Sequence, residues 1–66
     1  MTRKVRFLKD EVDIDLDVVV TEYNKEERVD TVNDGIMFFR YNKVRDIEQA
    51  YIIPYSEEGI YFEFID

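Results

Sequence analysis

Asp13, Asp15 and Asp17 stand at alternate positions in the stretch E-V-D-I-D-L-D-V-V-V-T-E-Y from Glu11 to Tyr23, and their type and spacing come nearest to chemistry in this chain. Three kinds of chemistry use carboxylates so closely set. D-x-D-x-D opens a calcium-binding loop, but that loop wants Gly at its sixth position and Glu at its twelfth. Val18 and Asn24 stand there instead, and the intervening Ile14 and Leu16 suit a strand. Paired carboxylates also perform acid–base work on glycosides when one is pushed into an apolar pocket. A chain of 66 residues leaves little room for such a cleft. The third use is electrostatic. Carboxylates two apart on a strand lie ~6.8 Å apart, comparable with successive phosphates along a nucleic-acid strand. Held in line on a stiff sheet, they present a phosphate-like row to a protein built to grip DNA, with an attraction that fades in salt.

Other chemistry lacks its residues. The chain has no Cys and no His, which removes disulfides and the common zinc sites. Ser56 is its single Ser, with no His to activate it. Gly35 and Gly59 are the two glycines, each in a turn context, so no phosphate-cradling loop exists. The expectation is a protein that is not an enzyme and takes no cofactor and no metal.

The net charge of −7 is unevenly placed. Residues 1–9 carry Arg3, Lys4, Arg6 and Lys9 and no acid, whereas residues 10–34 carry ten acids against Lys25 and Arg28. Residues 35–66 carry six acids against Arg40, Lys43 and Arg45. Such a field disfavours direct binding to a phosphate backbone and favours a basic partner. The candidate partner-binding residues are Asp13, Asp15, Asp17 and Glu22, with Glu26, Glu27, Asp30 and Asp34 as an acidic extension. The plainer account of the same acids is a solvated sheet face that resists aggregation.

The elements that position these groups read as strands. Glu11–Tyr23 sorts as one strand, with Val12, Ile14, Leu16, Val18 and Val20 on one face and the aspartates on the other. Arg3–Leu8 is a first strand, and Lys9-Asp10 is short enough only for a tight turn. The two are therefore expected to pair antiparallel, with Lys4 and Arg6 across from part of the Asp row. Asn24–Glu27 reads as a polar loop and Arg28–Val32 as a short strand anchored by Val29. Asn33-Asp34-Gly35 is the strongest turn signal, through residues that tolerate positive φ. Ile36–Tyr41 is an aromatic-rich strand, and Phe38, Phe39 and Tyr41 form a candidate dimer interface. Asn42 then reads as the N-cap of a short helix over 43–51, on the stripe Val44, Ile47, Ala50 and Tyr51. A loop followed by a strand is the alternative there. Pro54 marks a strand end, Ser56–Gly59 a turn, and Ile60–Ile65 the last strand. Tyr51, Tyr55 and Tyr61 are candidate hot-spot contacts, and Glu57, Glu58 and Glu63 further surface acids.

The fold expected is a single α+β domain over 1–66, mainly β. It is a curled antiparallel sheet of five or six strands with one short helix, closed as a small barrel or packed as an α+β layer. So short a chain is marginal alone, which favours a homodimer. No apolar run approaches the ~20 residues of a membrane span, and none of signal-peptide length follows the basic start. Cytoplasmic location is expected.

A short, acidic, cysteine-free, β-rich chain with a D-x-D-x-D strand and an acidic loop resembles phage-encoded host-takeover or anti-defence proteins, several of which are DNA mimics. The resemblance implies an inhibitor that occupies the DNA-binding surface of a host factor in the host cytoplasm. A histone-like nucleoid protein, a polymerase subunit, a repair enzyme or a defence nuclease is the kind of target implied. No family residue carries over by position, and the basic start departs from an all-acidic mimic. The alternative is a small assembly or accessory protein acting as a homo-oligomer through its aromatic face.

Overall fold

In the computed structural model, which describes residues 1–66, the first strand follows from its own alternation. In β1 (Thr2–Phe7), Val5 and Phe7 are fully buried, while Lys4 and Arg6 point to the other face. Its neighbours are β4 (Glu26–Thr31) and β7 (Phe62–Phe64), both antiparallel. With β5 (Gly35–Asn42) and β6 (Ile47–Pro54) they form a five-stranded sheet in the order β6-β5-β4-β1-β7. The sheet is curled, but its end strands β6 and β7 do not pair, so no closed barrel forms.

The acidic segment does not join β1, which corrects the expected pairing. Lys9-Asp10 is the start of a neck instead of a tight turn. The Asp10 carbonyl accepts the N–H groups of Thr21 and Glu22, at 2.9 and 3.0 Å, and its carboxylate accepts that of Tyr23. The Thr21 hydroxyl donates to the Lys9 carbonyl at 2.6 Å. Phe7 and Lys25 are then bonded across the base, so the chain leaves β1 and returns beside it.

Nor is Glu11–Tyr23 one strand. It folds into a hairpin of β2 (Glu11–Ile14) and β3 (Asp17–Val20), turning at Asp15 and Leu16 with φ of 48° and 72°. Positive φ at both central residues is the mirror-image turn whose twist matches a two-residue hairpin. An extended run of this length would reach past strands of six to eight residues and leave its backbone unpaired. Folding back pairs the two halves and shifts the alternation of the second half by one residue. Val12 and Val19 are opposite each other and buried, whereas Val18 and Val20, expected inside, are 62% and 61% exposed.

The expected helix over 43–51 is likewise replaced, by the alternative of a loop followed by a strand. Asn42 does cap a turn, its side-chain oxygen accepting the N–H groups of Val44 and Arg45. The turn spans Lys43–Asp46 and ends at Asp46 with φ of 56°. From Ile47 the chain runs back along β5 in eight paired positions. One or two turns of helix cannot compete with such a ladder, because helix nucleation is costly. Val44 is left exposed, and Tyr51 and Ile53 enter the core by strand alternation. The helical turn that exists is a 3-10 piece at Tyr55–Glu57, before β7.

At Asn33-Asp34-Gly35 the chain turns without positive φ. Gly35 is required for space, since a Cβ there would lie 2.0 Å from the Ile53 carbonyl oxygen. The core is Val5, Phe7, Val29, Ile36, Phe38, Tyr51, Ile53 and Phe62 from the sheet, covered by Val12 and Val19 of the hairpin. Phe7 meets Phe38 edge-on at 5.4 Å. No helix is long and apolar enough to cross a membrane.

Candidate functional site

The hairpin sends its aspartates in three directions. Asp13 lies on the outer face of β2 opposite Val18, Asp15 sits on the turn, and Asp17 lies half-buried on the inner side opposite Ile14. The straight row at phosphate spacing is therefore not formed, because the turn falls in its middle. Nor do the three carboxylates converge into a group able to hold a metal ion. The hairpin is nonetheless where the charge is. Residues 10–22 contain Asp10, Glu11, Asp13, Asp15, Asp17 and Glu22 and no Lys or Arg, so they account for six of the seven net negative charges. Glu11, Asp13, Asp15 and Asp17 form no ion pair.

The remaining candidates divide. Glu26 and Glu27 belong to β4 and not to a loop, and both are paired. Glu26 receives Lys4 and Arg6, each at 3.2 Å, and Arg6 also reaches Glu63 at 2.9 Å. Arg6 stands opposite Glu26 on one side and Glu63 on the other, a ladder across three strands. Lys4 and then Arg6 hold the Glu26 carboxyl below the usual carboxylate range. The two glutamates raise Arg6 further. Asp66 is held low by Arg3 in the same way. Glu22 lies 3.6 Å from Lys25. Asp30 and Asp34 are without ion pairs. The basic first strand thus answers Glu26, Glu63 and Asp66 and leaves the hairpin's acids untouched, while Glu27 is answered by Arg40 of β5.

On the same outer face, the half formed by β5 and β6 is mostly apolar. Phe39 and Tyr41 are 53% and 56% exposed, Phe39 opposite Ala50 and Tyr41 opposite Glu48, with Met37 and Ile52 continuing the row. Phe38 drops out of this surface, since strand alternation places it in the core. The Tyr41 hydroxyl donates to Asp46 across the turn, and that bond raises its pKa.

Arg40, which sequence reasoning did not single out, ties the hairpin to the sheet. The β4–β5 ladder is confined to Asp30 and Thr31 against Met37 and Ile36, and Arg40 fills the split beyond it. Its guanidinium makes a two-pronged bond to Glu27 at 2.6 and 3.0 Å, and its Nε donates to the Val20 carbonyl at 2.9 Å. It also lies 4.8 Å from the centre of the Phe38 ring. A lone cation inside the apolar run Ile36–Tyr41 was the available signal. Beside this tie a groove of about 620 Å³ opens between β3 and the end of β5, its apolar wall formed by Leu16, Val18, Val20, Tyr41, Val44 and Tyr51, with Asp17, Arg40 and Lys43 in its polar lining. Leu16 had no sequence signal as a turn residue, since Asp-Leu is not a preferred turn pair.

No family model, no curated protein and no solved structure matches this chain.

Proposed function

We propose that this protein is a binding module, not an enzyme, whose acidic hairpin engages a cationic surface of the kind that nucleic-acid-binding proteins carry. One observation carries the reading: residues 10–22 carry six acids and no base, and only Glu22 among them has an ion pair, while Glu26 of β4 and Glu63 of β7 are answered by Arg and Lys. Unanswered carboxylates on the exposed side of this hairpin attract a basic partner over a distance and quicken its association. Occupying that partner's phosphate-binding surface would inhibit it. The mimicry in this form is of charge density and not of phosphate spacing.

The test is displacement of labelled duplex DNA from a histone-like nucleoid protein at low and high salt. Asp13, Asp15 and Asp17 changed together to Asn should abolish displacement, while Glu57→Gln with Glu58→Gln should leave it intact. Equal displacement by both variants would remove the hairpin from the function. A second reading, a homo-oligomeric accessory protein, is favoured by the apolar half-face of Phe39, Tyr41, Ala50 and Ile52. It requires a dimer in sedimentation that Phe39→Lys dissociates.

A further inference from the structure

Hairpin geometry leaves one strand edge of this protein open. A two-residue turn is closed by a pair that exchanges both of its hydrogen bonds, here Ile14 with Asp17. Alternation then makes Val12–Val19 the next such pair, and the Thr21 N–H on the Asp10 carbonyl continues the phase. Val18 and Val20 fall between, so their N–H and C=O groups point away from β2. The Val20 carbonyl confirms this direction by accepting Arg40 Nε from the far side. The Val18 N–H, the Val18 carbonyl and the Val20 N–H face the groove. Other edges in the molecule are blunted. The outer edge of β2 carries Glu11 and Asp13, β7 is three residues long, and β6 carries Glu48 and ends at Pro54. Val18–Val20 carries neither a charge nor a proline.

We propose that the outer edge of β3 takes up an extended segment of the cationic partner as an added strand, lying in the groove against Tyr41, Val44 and Tyr51. The inference rests on the acidic-hairpin reading and specifies its mode of recognition. The segment is one of alternating apolar and basic residues. Its apolar side chains continue the surface of Val19 and Tyr51 into the groove. Its basic side chains lie on the outer face, where Glu11 and Asp13 are two strand spacings away, about 9.6 Å, within reach of an extended Lys or Arg. Leu16 fits the same picture. It is fully exposed in a left-handed conformation that costs a leucine free energy, and contact with a bound segment gives it a use.

The test uses the whole chain and two labelled synthetic peptides of equal composition, one alternating Lys and Val, the other with Lys and Val in separate blocks. Fluorescence anisotropy should show the alternating peptide binding more tightly, by about tenfold or more. Amide exchange of the unmodified protein should show Val18 slowed by about tenfold or more on saturation. Val18→Pro removes a donor that the hairpin itself does not use and should weaken the alternating peptide by about tenfold. Equal binding of the two peptides with Val18 exchange unchanged overturns strand addition and leaves charge attraction standing. Loss of both on changing Asp13 and Asp15 to Asn supports the shared acidic reading. Binding of both peptides undiminished by those changes removes both proposals. A Val18 amide already slow without peptide, in a self-associated protein, assigns the edge to a second copy and overturns the proposal.

Discussion

Hairpin β2–β3 turns on Asp15 and Leu16 and is held by four paired positions, whereas hairpin β5–β6 turns on four residues capped by Asn42 and is held by eight. Each contributes aliphatic or aromatic side chains to the same core, Val12 and Val19 from one, Ile36, Phe38, Tyr51 and Ile53 from the other. They differ in what holds them in place. β5–β6 belongs to the sheet through β4. β2–β3 pairs with itself alone, and is moored by the Asp10 neck and by Arg40. Local opening should therefore begin at the acidic hairpin, whose paired backbone is short and whose charges repel. The comparison teaches that charge has been put on the element least needed to hold the sheet together. An element so placed can change its surroundings on binding without unfolding the rest.

The largest effect should come from Arg40→Ala. It strands Glu27, about a quarter exposed, and releases the Val20 carbonyl. A loss of about 2–3 kcal/mol is expected in urea unfolding. Amide exchange should rise more at Val19 and Thr21 than at Phe38 and Tyr51, and equal acceleration in both hairpins would break the comparison. Asn42→Ala strikes the other hairpin. It removes the cap on Val44 and Arg45 and the 3.1 Å bond to the Tyr51 hydroxyl, at a cost of about 1–2 kcal/mol. Its effect should be read first at β5–β6.

Leu16→Gly should act in the opposite direction. Leu16 sits at φ 72° with no burial to lose, so Gly relieves the left-handed conformation and raises stability by about 1 kcal/mol. An unfolding midpoint that falls instead would show that the leucine packs on something in the free protein. The smallest effect is the response to acid. Glu26 and Asp66 are held below their ordinary range by Lys4, Arg6 and Arg3. The stability they contribute is present above the ordinary carboxylate range and is lost as pH falls through their lowered values. Glu26→Gln should flatten the decline in unfolding midpoint between neutral and acid pH. A decline of unchanged steepness would assign it to other carboxylates.

Much of this was legible where pattern and burial agree. Val5 and Phe7, Val29 and Pro54 as a strand end all follow from alternation or turn chemistry, and the antiparallel, mainly β character follows from them, whereas the loop read over 24–27 loses Glu26 and Glu27 to β4. Two stretches fold otherwise than their local pattern favours, for different reasons, the first of them as its loop-and-strand alternative. In 43–51 a helical stripe and a strand alternation coexist in the same residues, and only the eight-residue partner β5 decides between them. In 11–23 the alternation is unbroken through Asp15 and Leu16, so no local signal marks the turn. The ion pairs were misplaced with it: Lys4 and Arg6 find Glu26 and Glu63, residues distant in the chain.

The amino-acid order by itself determined that this chain makes strands, that its core is aliphatic and aromatic, that its charge is concentrated in one acidic stretch, and that it carries neither a thiol nor an imidazole. Composition and period two suffice for that, because burial and backbone pairing act at short range. Tertiary structure alone decided which carboxylates are answered and which are left open, where the acidic run folds back, and which strand edge stays free. Those outcomes depend on partners far apart in sequence, and on the finite length of the sheet, which leaves a thirteen-residue strand nothing to pair with along its second half.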